Sequence, residues 1–520
     1  MRAKALKLSI MIGAVCCILA ACGEKESEDG TTVAETGQET TISAESKEIE
    51  EDGEMSTESE TVGSDSEADD SAPFVKIHKI FREEDYEYLT ASYDRAEIIG
   101  DDYTTLKEAV DEWMTQYEEQ FSERTAQYVE DCKMQREDMQ SDEMTYSDEM
   151  NLFVERMDSR VTSFLVGEYE YAGGAHGYYG MYGMNYDSVT GEEITFDMLG
   201  DIQDVILQKA DEEIEKVRAE SDNEYCFGGY ENARDTMFEN PVWYLDSEGF
   251  VLIFNTYEIG AYAEGNLTVE VPYDQMPGFN EKYLPRDDFY SCMLGGNYEN
   301  ERDFDGDGVT DRLKVWTEWD EDENSNICIS YNDQLTELGY GFNLDYVYYV
   351  HDSDGRNYIL FSFDAMSDDF VTELYEIKDG SLTEVQTTEG CISAIAGDRV
   401  GMNVSIDVLG TYGAYRSYRI EDGAFVPVEE RFDLGNEERQ RKLVLAADVK
   451  GSVMTEEGMT ETGLVSGTTL YPVNTDGESV VGFYLDDGTY GELNFTRKDW
   501  TIYIDGVEEY ELFEELPYAG

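Results

Sequence analysis

The chain has 520 residues and a formal net charge of -82 at neutral pH. A surface field of this sign repels nucleic acid, so nucleic-acid binding is excluded as a function. Hydrophobic residues make up 41% of the chain and charged residues 30%, which indicates folded domains rather than a membrane-embedded protein. The length is enough for two or three domains.

The N-terminus has the pattern of a bacterial lipoprotein signal. Three basic residues precede an apolar run over 8–20, which is too short to span a bilayer stably. The run closes on Leu-Ala-Ala-Cys-Gly, in which the thiol of Cys22 accepts a diacylglyceryl group. We predict a signal peptide over 1–21 and a protein that its lipid anchors to the extracytoplasmic face of the cell membrane. An uncleaved apolar anchor is the alternative.

The segment 22–72 is rich in Glu, Asp, Ser, Thr and Gly and nearly free of large apolar residues. It cannot bury enough surface to offset the entropy lost on ordering, so we predict a disordered acidic tether. Most of the negative charge lies beyond this tether. The folded body should therefore attract cations and basic proteins, although solubility alone is another explanation of the charge.

Cysteines and catalytic motifs give little sign of chemistry. The cysteines beyond the tether are Cys132, Cys226, Cys292, Cys328 and Cys391. They form no CxxC pair or Cys/His cluster, which favours buried free thiols over zinc ligands or a disulfide framework. The chain has no Gly-rich phosphate loop, GxSxG motif or Cys/His nucleophile pattern, so we predict that it is not an enzyme.

The segment 73–280 predicts an α+β domain with two helices packed on an antiparallel sheet. Apolar residues recur at helical spacing from Thr105 and again from Asp201. Apolar and polar residues alternate over 151–171, 178–196 and 242–273, and this alternation predicts strands. A break near 277–285 is followed by short Tyr- and Val-rich segments separated by Asp-Gly turns. The remainder is therefore predicted to be mostly β, with a β region over 287–436 and a small all-β module over 442–520.

Several short motifs occur together in the first domain. They are Gly173-Gly174-Ala175-His176-Gly177, Asn185-Tyr186-Asp187, Trp243-Tyr244-Leu245, Phe254-Asn255-Thr256-Tyr257-Glu258-Ile259 and Val271-Pro272-Tyr273. The set resembles the extracellular domain of RsiV-type anti-sigma factors, which is also found beside the catalytic domain of the peptidoglycan deacetylase PdaC. The resemblance covers about Ile77–Met276. It predicts an α+β RsiV-like domain followed by the mostly-β region.

The resemblance implies a binding domain, because in RsiV this module receives lysozyme, a small basic protein. Sigma-factor control is not supported, since the predicted lipid anchor leaves no cytoplasmic segment. The deacetylase half is also missing. Thr195-Phe196-Asp197-Met198 lacks the second acid of the deacetylase motif, and no HxxxH follows it.

The candidate ligand contacts are a histidine and tyrosines near glycine turns, namely His176, Tyr178, Tyr179, Tyr257 and Tyr262. Tyrosine is a frequent anchor at protein interfaces. The alternatives are structural. His176 could satisfy backbone groups in a tight turn, and the tyrosines of 178–182 could form a half-buried strand.

An aspartate-rich loop predicts a calcium site. The expected ligands are carboxylates at alternating positions and one main-chain carbonyl, from Asp303, Asp305, Asp307, Val309 and Asp311. An EF-hand would need a glutamate where Lys314 stands. The loop instead looks like the DxDGDGxxD loop of FG-GAP and VCBS-type propeller blades, and a bare acidic turn is the alternative. A second such loop has Arg356 in place of a carboxylate, which predicts a degenerate repeat without an ion.

Together these features predict a surface-anchored, non-enzymatic binding lipoprotein, with a basic protein such as lysozyme as the partner. A cell-wall glycan such as peptidoglycan is the alternative ligand, because tyrosine-rich sheets also stack on sugars. A hydrolase that uses paired carboxylates is a third hypothesis, although acids this numerous form pairs by chance.

The lipid anchor is directly testable. Replacing Cys22→Ser removes the thiol that accepts the lipid, so the protein should move from the membrane fraction to the soluble fraction. Cell fractionation and gel mobility measure this change. A Cys22→Ser protein that stays in the membrane fraction with unchanged mobility would contradict the lipid assignment.

Overall fold

The structure is a computed structural model that describes residues 72–518, apart from 83–84, 101, 140–143, 222, 224, 287–288, 298, 320–324, 345, 366–368, 436–440, 457 and 499. The predicted signal peptide, Cys22 and all but the last residue of the predicted tether lie outside the described residues. Strands predominate in the described part of the chain, which confirms its predicted mostly-β character. None of the described helices is long and apolar enough to cross a membrane.

The first sheet is mixed, whereas the prediction was an antiparallel sheet. Its strands follow each other in chain order, and they are β1 (Phe74–Phe81), β2 (Leu89–Ile99), β3 (Tyr146–Met157), β4 (Val161–Tyr171) and β5 (Tyr178–Asp187). Neighbours are antiparallel except for β2 and β3, which are parallel. The cause is helix α1 (Thr104–Met139), because it returns the chain along the sheet and lets β3 begin beside the start of β2.

Helix α1 covers one face of this sheet. The apolar residues that recur at helical spacing after Thr105, from Leu106 to Phe121, are buried, apart from the half-buried Trp113. This buried stripe continues through Val129 to Arg136, well past the last predicted position. Burial of a stripe this long, rather than helix propensity, accounts for most of the stability of such a helix.

A second sheet packs on the other face of the first. It comprises β6 (Val242–Leu245), β7 (Gly249–Phe254) and β8 (Leu267–Pro272), and the helices before it are α2 (Gln203–Ser221) and the short α3 (Tyr230–Ala233). Leu165 and Met181 of the first sheet pack against Val251 and Ile253 of the second. Helix α2 packs on the outer face of the second sheet. The layers are thus helix, sheet, sheet and helix, which we call the sandwich.

Two asparagines join the sheets of the sandwich where β5 meets β6. Asn185 accepts hydrogen bonds at its Oδ1 from the Ser163 hydroxyl at 2.8 Å and the Leu245 N–H at 3.0 Å. The amide of Asn255 accepts from the N–H of Met181 at 2.8 Å and donates to its carbonyl at 2.9 Å. A Cβ at Gly183 would lie 2.0 Å from the Trp243 carbonyl oxygen, so this close approach requires glycine.

After the sandwich come two antiparallel sheets that stack face to face. Their strands are β9 (Tyr290–Leu294), β10 (Asn300–Arg302), β11 (Asp311–Trp319), β12 (Ser325–Tyr331), β13 (Gln334–Tyr340), β14 (Val347–His351), β15 (Asn357–Asp364), β16 (Phe370–Lys378) and β17 (Ser381–Glu389). One sheet contains β10 to β13, and the other contains β14 to β17 with β9 at its edge. Val315 and Ile329 of the first pack against Ile359 and Phe361 of the second.

The last large sheet crosses the predicted boundary between 287–436 and 442–520. Its strands are β18 (Cys391–Ala396), β19 (Arg399–Asp407), β20 (Thr411–Glu421), β21 (Ala424–Pro427), β22 (Phe432–Asp433), β23 (Leu443–Val444), β24 (Val449–Thr455), β25 (Gly458–Leu464), β26 (Thr469–Thr475), β27 (Val480–Tyr484) and β28 (Tyr490–Asn494). Strand β22 links β20 to β26. The predicted division therefore falls inside one sheet, because turn signals cannot show that a two-residue strand bridges it.

The chain ends in a small antiparallel sheet and one helical turn. These elements are β29 (Thr496–Lys498), β30 (Thr501–Ile504), β31 (Val507–Glu508) and α4 (Glu509–Leu512). Ile502, Ile504 and Leu512 pack into the same core as Leu493 of β28. All described residues belong to one compact unit.

Five free cysteines lie in the described region, and Cys132, Cys226 and Cys328 are buried. Burial raises the pKa of the Cys226, Cys292 and Cys328 thiols. These thiols are therefore protonated at neutral pH and pack as small apolar groups.

A buried glutamate lies near the junction of the sandwich and the following sheets. Glu155 of β3 is 7% exposed, and its Oε1 has no hydrogen-bond partner among the described residues. Burial, together with the negative charges of Asp246 and Glu270, raises the pKa of Glu155 to about 8. Glu155 thus keeps its proton at neutral pH in the folded state, whereas an unfolded chain loses it near pH 4.3.

We expect the free energy of unfolding to fall between about pH 4 and pH 8, because the unfolded chain loses the Glu155 proton first. Glu155→Gln mimics the protonated side chain. The variant should match wild type at pH 4 and exceed its stability by a few kcal/mol at pH 8, since one pKa unit is worth about 1.4 kcal/mol. Urea denaturation measures both values, with Glu108→Gln on the exposed face of α1 as the control. Parallel pH profiles for wild type and Glu155→Gln would show that the folded protein does not hold this proton.

Candidate binding site

Three aromatic side chains from two loops form a cluster, the aromatic platform, which consists of His176, Tyr257 and Tyr262. The His176 ring stacks on Tyr262 with centroids 3.9 Å apart and 19° between the planes. Its Nδ1 lies 2.9 Å from the Gly177 carbonyl oxygen and its Nε2 lies 3.0 Å from the Tyr257 hydroxyl. Tyr257 is 56% exposed and Tyr262 39%. The structure therefore brings three of the predicted contact residues together on a solvent-facing surface.

The hydrogen bonds of His176 fix its ring. The carbonyl of Gly177 offers only an acceptor, so Nδ1 donates to it. In the neutral ring, Nε2 then accepts from the Tyr257 hydroxyl. His176 thus satisfies a backbone group, as its structural interpretation predicted, and also holds Tyr257 in the platform.

Glycines shape the loop that contains His176. Gly173 and Gly174 have φ values of 86° and 104°, a left-handed region that glycine enters at little cost. A Cβ at Gly177 would lie 2.5 Å from the Tyr169 ring. The glycines of this motif are therefore explained by the turn and by its close packing, which place His176 at the entrance to β5.

Tyr257 has a φ of 71°, a conformation that costs a bulky residue on the order of 1–3 kcal/mol. Its neighbours impose this conformation. The Asn255 N–H donates to Glu258 at 2.9 Å, and the Thr256 N–H and hydroxyl both donate to Asn266 Oδ1 at 2.6 Å. Because the Asn255 amide also binds β5, the strained turn is held next to the loop of His176.

Tyr178 and Tyr179 lie on opposite faces of β5. Tyr178 is 46% exposed and pairs across the sheet with Glu170. Tyr179 packs beside Met181 and Tyr244 between the two sheets, and burial raises its pKa. Tyr179 is therefore a packing residue and not part of the candidate surface, whereas Tyr178 is exposed close to the platform.

Carboxylates give the surface around Tyr178 a negative charge. Burial, followed by the charges of Glu258, Glu170 and Glu168, raises the pKa of the Tyr178 hydroxyl. The nearby Arg124 supplies a single positive charge, with two hydrogen bonds to the buried carboxylate of Asp148 at 2.7 and 3.0 Å and a distance of 3.9 Å to Glu170. A cationic side chain of a ligand would meet attractive charge here.

Three of the predicted calcium ligands converge in the loop between β10 and β11. Carboxylate oxygens of Asp303, Asp305 and Asp311 lie within 4.8 Å of one another. The Asp307 carboxylate is not in this group and accepts a hydrogen bond from the Val309 N–H at 2.7 Å. The loop thus gathers three oxygen ligands of the kind that a hard cation needs.

Two residues that sequence reasoning did not identify contact this loop. The Tyr331 side chain is 2% exposed, and its ring centroid lies 6.5 Å from that of Phe304 in the loop. Burial, followed by the adjacent Asp311 carboxylate, raises the pKa of its hydroxyl. The Gly380 N–H donates to Asp305 at 2.7 Å, which ties the loop to the turn between β16 and β17. Neither residue has a sequence signal, since the Tyr331 contact depends on the register of β11 with β12 and the Gly380 contact on how the two sheets stack.

The second aspartate loop supplies its own positive charge. Arg356 donates from Nη2 to Asp354 at 2.5 Å and to Asp422 at 3.0 Å. Its Nε lies 3.9 Å from Asp352. The guanidinium therefore adds one positive charge that partly offsets the carboxylates of this degenerate loop.

Residues 197–274 match the model of DUF3298, a family described as a protein of unknown function. The matched segment includes α2 and the second sheet, and therefore Tyr257 and Tyr262, but not His176. No curated protein matches the chain.

Two crystal structures of DUF3298 proteins are similar to this chain. One is from Bacteroides fragilis NCTC 9343 and is 17% identical, with 40% of this chain and 94% of that chain covered and a TM-score of 0.31. The other is from Pseudomonas aeruginosa PAO1 and is also 17% identical, with 42% of this chain and 98% of that chain covered and a TM-score of 0.29. DUF3298 is the domain family of the RsiV-type and PdaC-type proteins, so the predicted resemblance is confirmed over 197–274.

Proposed function

We propose that this protein is a non-enzymatic binding lipoprotein, anchored outside the cytoplasm through Cys22, that recognises a basic protein such as lysozyme. The observation that supports this most is the solvent-facing aromatic platform of His176, Tyr257 and Tyr262, with Tyr178 close by. Tyrosines bury a large contact area at a low cost in conformational entropy, which suits them to be anchors of a protein interface.

The charge distribution supports a basic partner. The carboxylates around Tyr178 remain in excess, because the one guanidinium of Arg124 is shared between Asp148 and Glu170. Opposite charge steers a partner toward this surface and raises the association rate, an effect that salt screens. The aromatic contacts, which are less sensitive to salt, would control dissociation.

A cell-wall glycan such as peptidoglycan is the second candidate ligand. The specific observation in its favour is the parallel stacking of His176 on Tyr262, because an exposed aromatic face also packs on the apolar face of a sugar. Binding to purified wall that survives high salt would favour this alternative.

Kinetic measurements on the soluble Cys22→Ser protein test the platform. Lysozyme should associate more slowly as salt rises from about 50 to about 300 mM, because the Debye length falls from roughly 14 to roughly 6 Å. Tyr262→Ala should speed dissociation about tenfold or more. Tyr257→Gly should do the same without lowering the melting temperature, since glycine adopts the φ of Tyr257 without strain.

The matched control is Tyr340→Ala, which removes a tyrosine that is 49% exposed on β13. It should leave the kinetics unchanged. Binding that disappears at physiological salt and is equal in all variants would mean nonspecific attraction between charges, and the glycan hypothesis would then lead.

We also propose that Asp303, Asp305 and Asp311 bind calcium and thereby stabilise the stacked sheets. The convergence of their carboxylates supports this, because three carboxylates this close repel one another without a cation. The Asp305 contact with Gly380 would transmit the effect to the neighbouring sheet.

A chelator should therefore lower the melting temperature, because an ion that binds only the folded state stabilises it by mass action. When the free calcium concentration is a hundred times the dissociation constant, the free energy of unfolding should rise by about 2.7 kcal/mol. Asp305→Asn should remove the response to calcium, while Asp354→Asn in the arginine-containing loop should keep it. Calorimetry with and without calcium measures both, and a wild-type melting curve that ignores the chelator would rule the site out.

A further inference from the structure

A groove with a volume of about 650 Å³ opens in the large sheet beside β22. Strand β22 is only two residues long, and it pairs with β20 at a single position, Tyr415 with Asp433. The two residues of β22 therefore fill only a short part of the space between β20 and β26. The residues around the resulting groove include Arg431, Phe432, Asn474 and Tyr484. Its volume is in the range of small-ligand sites.

Polar groups at the groove hold one another in place. Arg431 Nη1 donates to Asn474 Oδ1 at 3.0 Å and to the Tyr490 hydroxyl at 2.9 Å, and it lies 2.8 Å from Glu492. The Tyr490 hydroxyl also donates to Glu492 at 3.2 Å. The guanidinium of Arg431 and the amide of Asn474 are therefore already oriented before a ligand binds. This preorganisation lowers the entropic cost of binding.

Gly482 makes room for this network. A Cβ at that position would lie 2.4 Å from both Asn474 Oδ1 and the Tyr490 hydroxyl oxygen. Its φ is not in the left-handed region, so the backbone does not require glycine. The requirement comes from the polar network that passes over Gly482.

The charges at the groove are compensated in part, since the exposed Glu430 forms no ion pair among the described residues. Glu429 accepts from the Ser417 N–H and hydroxyl, at 2.9 and 2.8 Å. Asp433 pairs with Lys76, and Arg431 pairs with Glu492. The side-chain nitrogen of Asn474 has no acceptor among the described residues and remains available to donate. The donors at the groove, the Asn474 amide nitrogen and the Arg431 guanidinium, match the oxygens of a neutral, hydroxyl-rich ligand better than an ammonium group. The remaining carboxylates disfavour an anion.

An aromatic wall completes the groove. Tyr484 is half-buried and packs edge-on against Tyr490, with ring centroids 5.7 Å apart. Phe432 is also half-buried, and the Arg416 guanidinium lies 4.7 Å from its ring centroid. Sugars combine hydroxyl groups with an apolar ring face, and a site with both planar polar groups and aromatic rings matches that combination.

We propose that this groove binds a neutral sugar unit of a glycan, with Tyr484 packing on the ring and Asn474 donating to a hydroxyl or carbonyl oxygen. The site is separate from the aromatic platform and does not depend on recognition of a basic protein. It gives the C-terminal sheets, to which no sequence motif assigns any chemistry, a ligand of defined class.

Calorimetric titration of the soluble Cys22→Ser protein tests this proposal with three probes: N-acetylated chitotriose, cellotriose and the cationic glucosamine trimer. At least one neutral trisaccharide should bind, and better than the cationic trimer. Tyr484→Ala and Asn474→Asp should each weaken binding about tenfold or more. Asn474→Asp keeps the acceptor for Arg431 but loses the donor, so it separates recognition from folding. Gly482→Ala should weaken binding too, because it displaces the network.

The matched control is Tyr340→Ala, which removes an exposed tyrosine outside both sites and should leave trisaccharide binding unchanged. Tyr262→Ala distinguishes the groove from the platform. Thermal melting verifies that each variant is folded. Three results would overturn the proposal: no binding of either neutral trisaccharide at millimolar concentration, unchanged binding in folded Tyr484→Ala and Asn474→Asp, or preference for the cationic trimer. Loss of binding in Tyr262→Ala would assign the sugar to the platform and also overturn it.

Discussion

The contact between β5 and β6 is the constraint on which the sandwich depends. Strand β5 is at the edge of its sheet, where backbone groups would otherwise lack partners. The Asn255 amide binds both backbone groups of Met181, and Asn185 binds across to Leu245. His176 precedes β5, while Tyr257 follows β7 in the chain, so the aromatic platform exists only when these amides hold the two sheets together.

Local periodicity was enough to predict the helices and most strands of the sandwich, because amphipathic stripes and alternation reflect burial directly. It could not predict that β2 and β3 run parallel, since that depends on where α1 returns the chain. At the candidate site, sequence reasoning named His176, Tyr257 and Tyr262 but not their contacts. Alternation implies that Tyr178 and Tyr179 face opposite ways, yet only the packing of the second sheet shows which one is covered.

The groove beside β22 had no sequence signal at all. Arg431, Asn474 and Tyr490 come from three separate segments, and what joins them is the pairing of β22 with β26 together with the register of β26, β27 and β28. Gly482 would have been assigned to an ordinary strand position, because its importance comes from the side chains that cross it. A site that depends on the register between distant strands cannot be predicted from local sequence patterns.

A chain with a net charge of -82 must neutralise the carboxylates that folding brings together, and it does so in different ways. Asp148 has Arg124 and Asp433 has Lys76, whereas the buried Glu155 keeps a proton. Of the two aspartate loops, one contains Arg356, which reaches Asp354 and Asp422. In the other loop, Arg312 pairs with Asp333 instead. Among the described residues, no basic side chain forms an ion pair with Asp303, Asp305 or Asp311, and these carboxylates instead accept hydrogen bonds from backbone N–H groups and from the Asn332 amide.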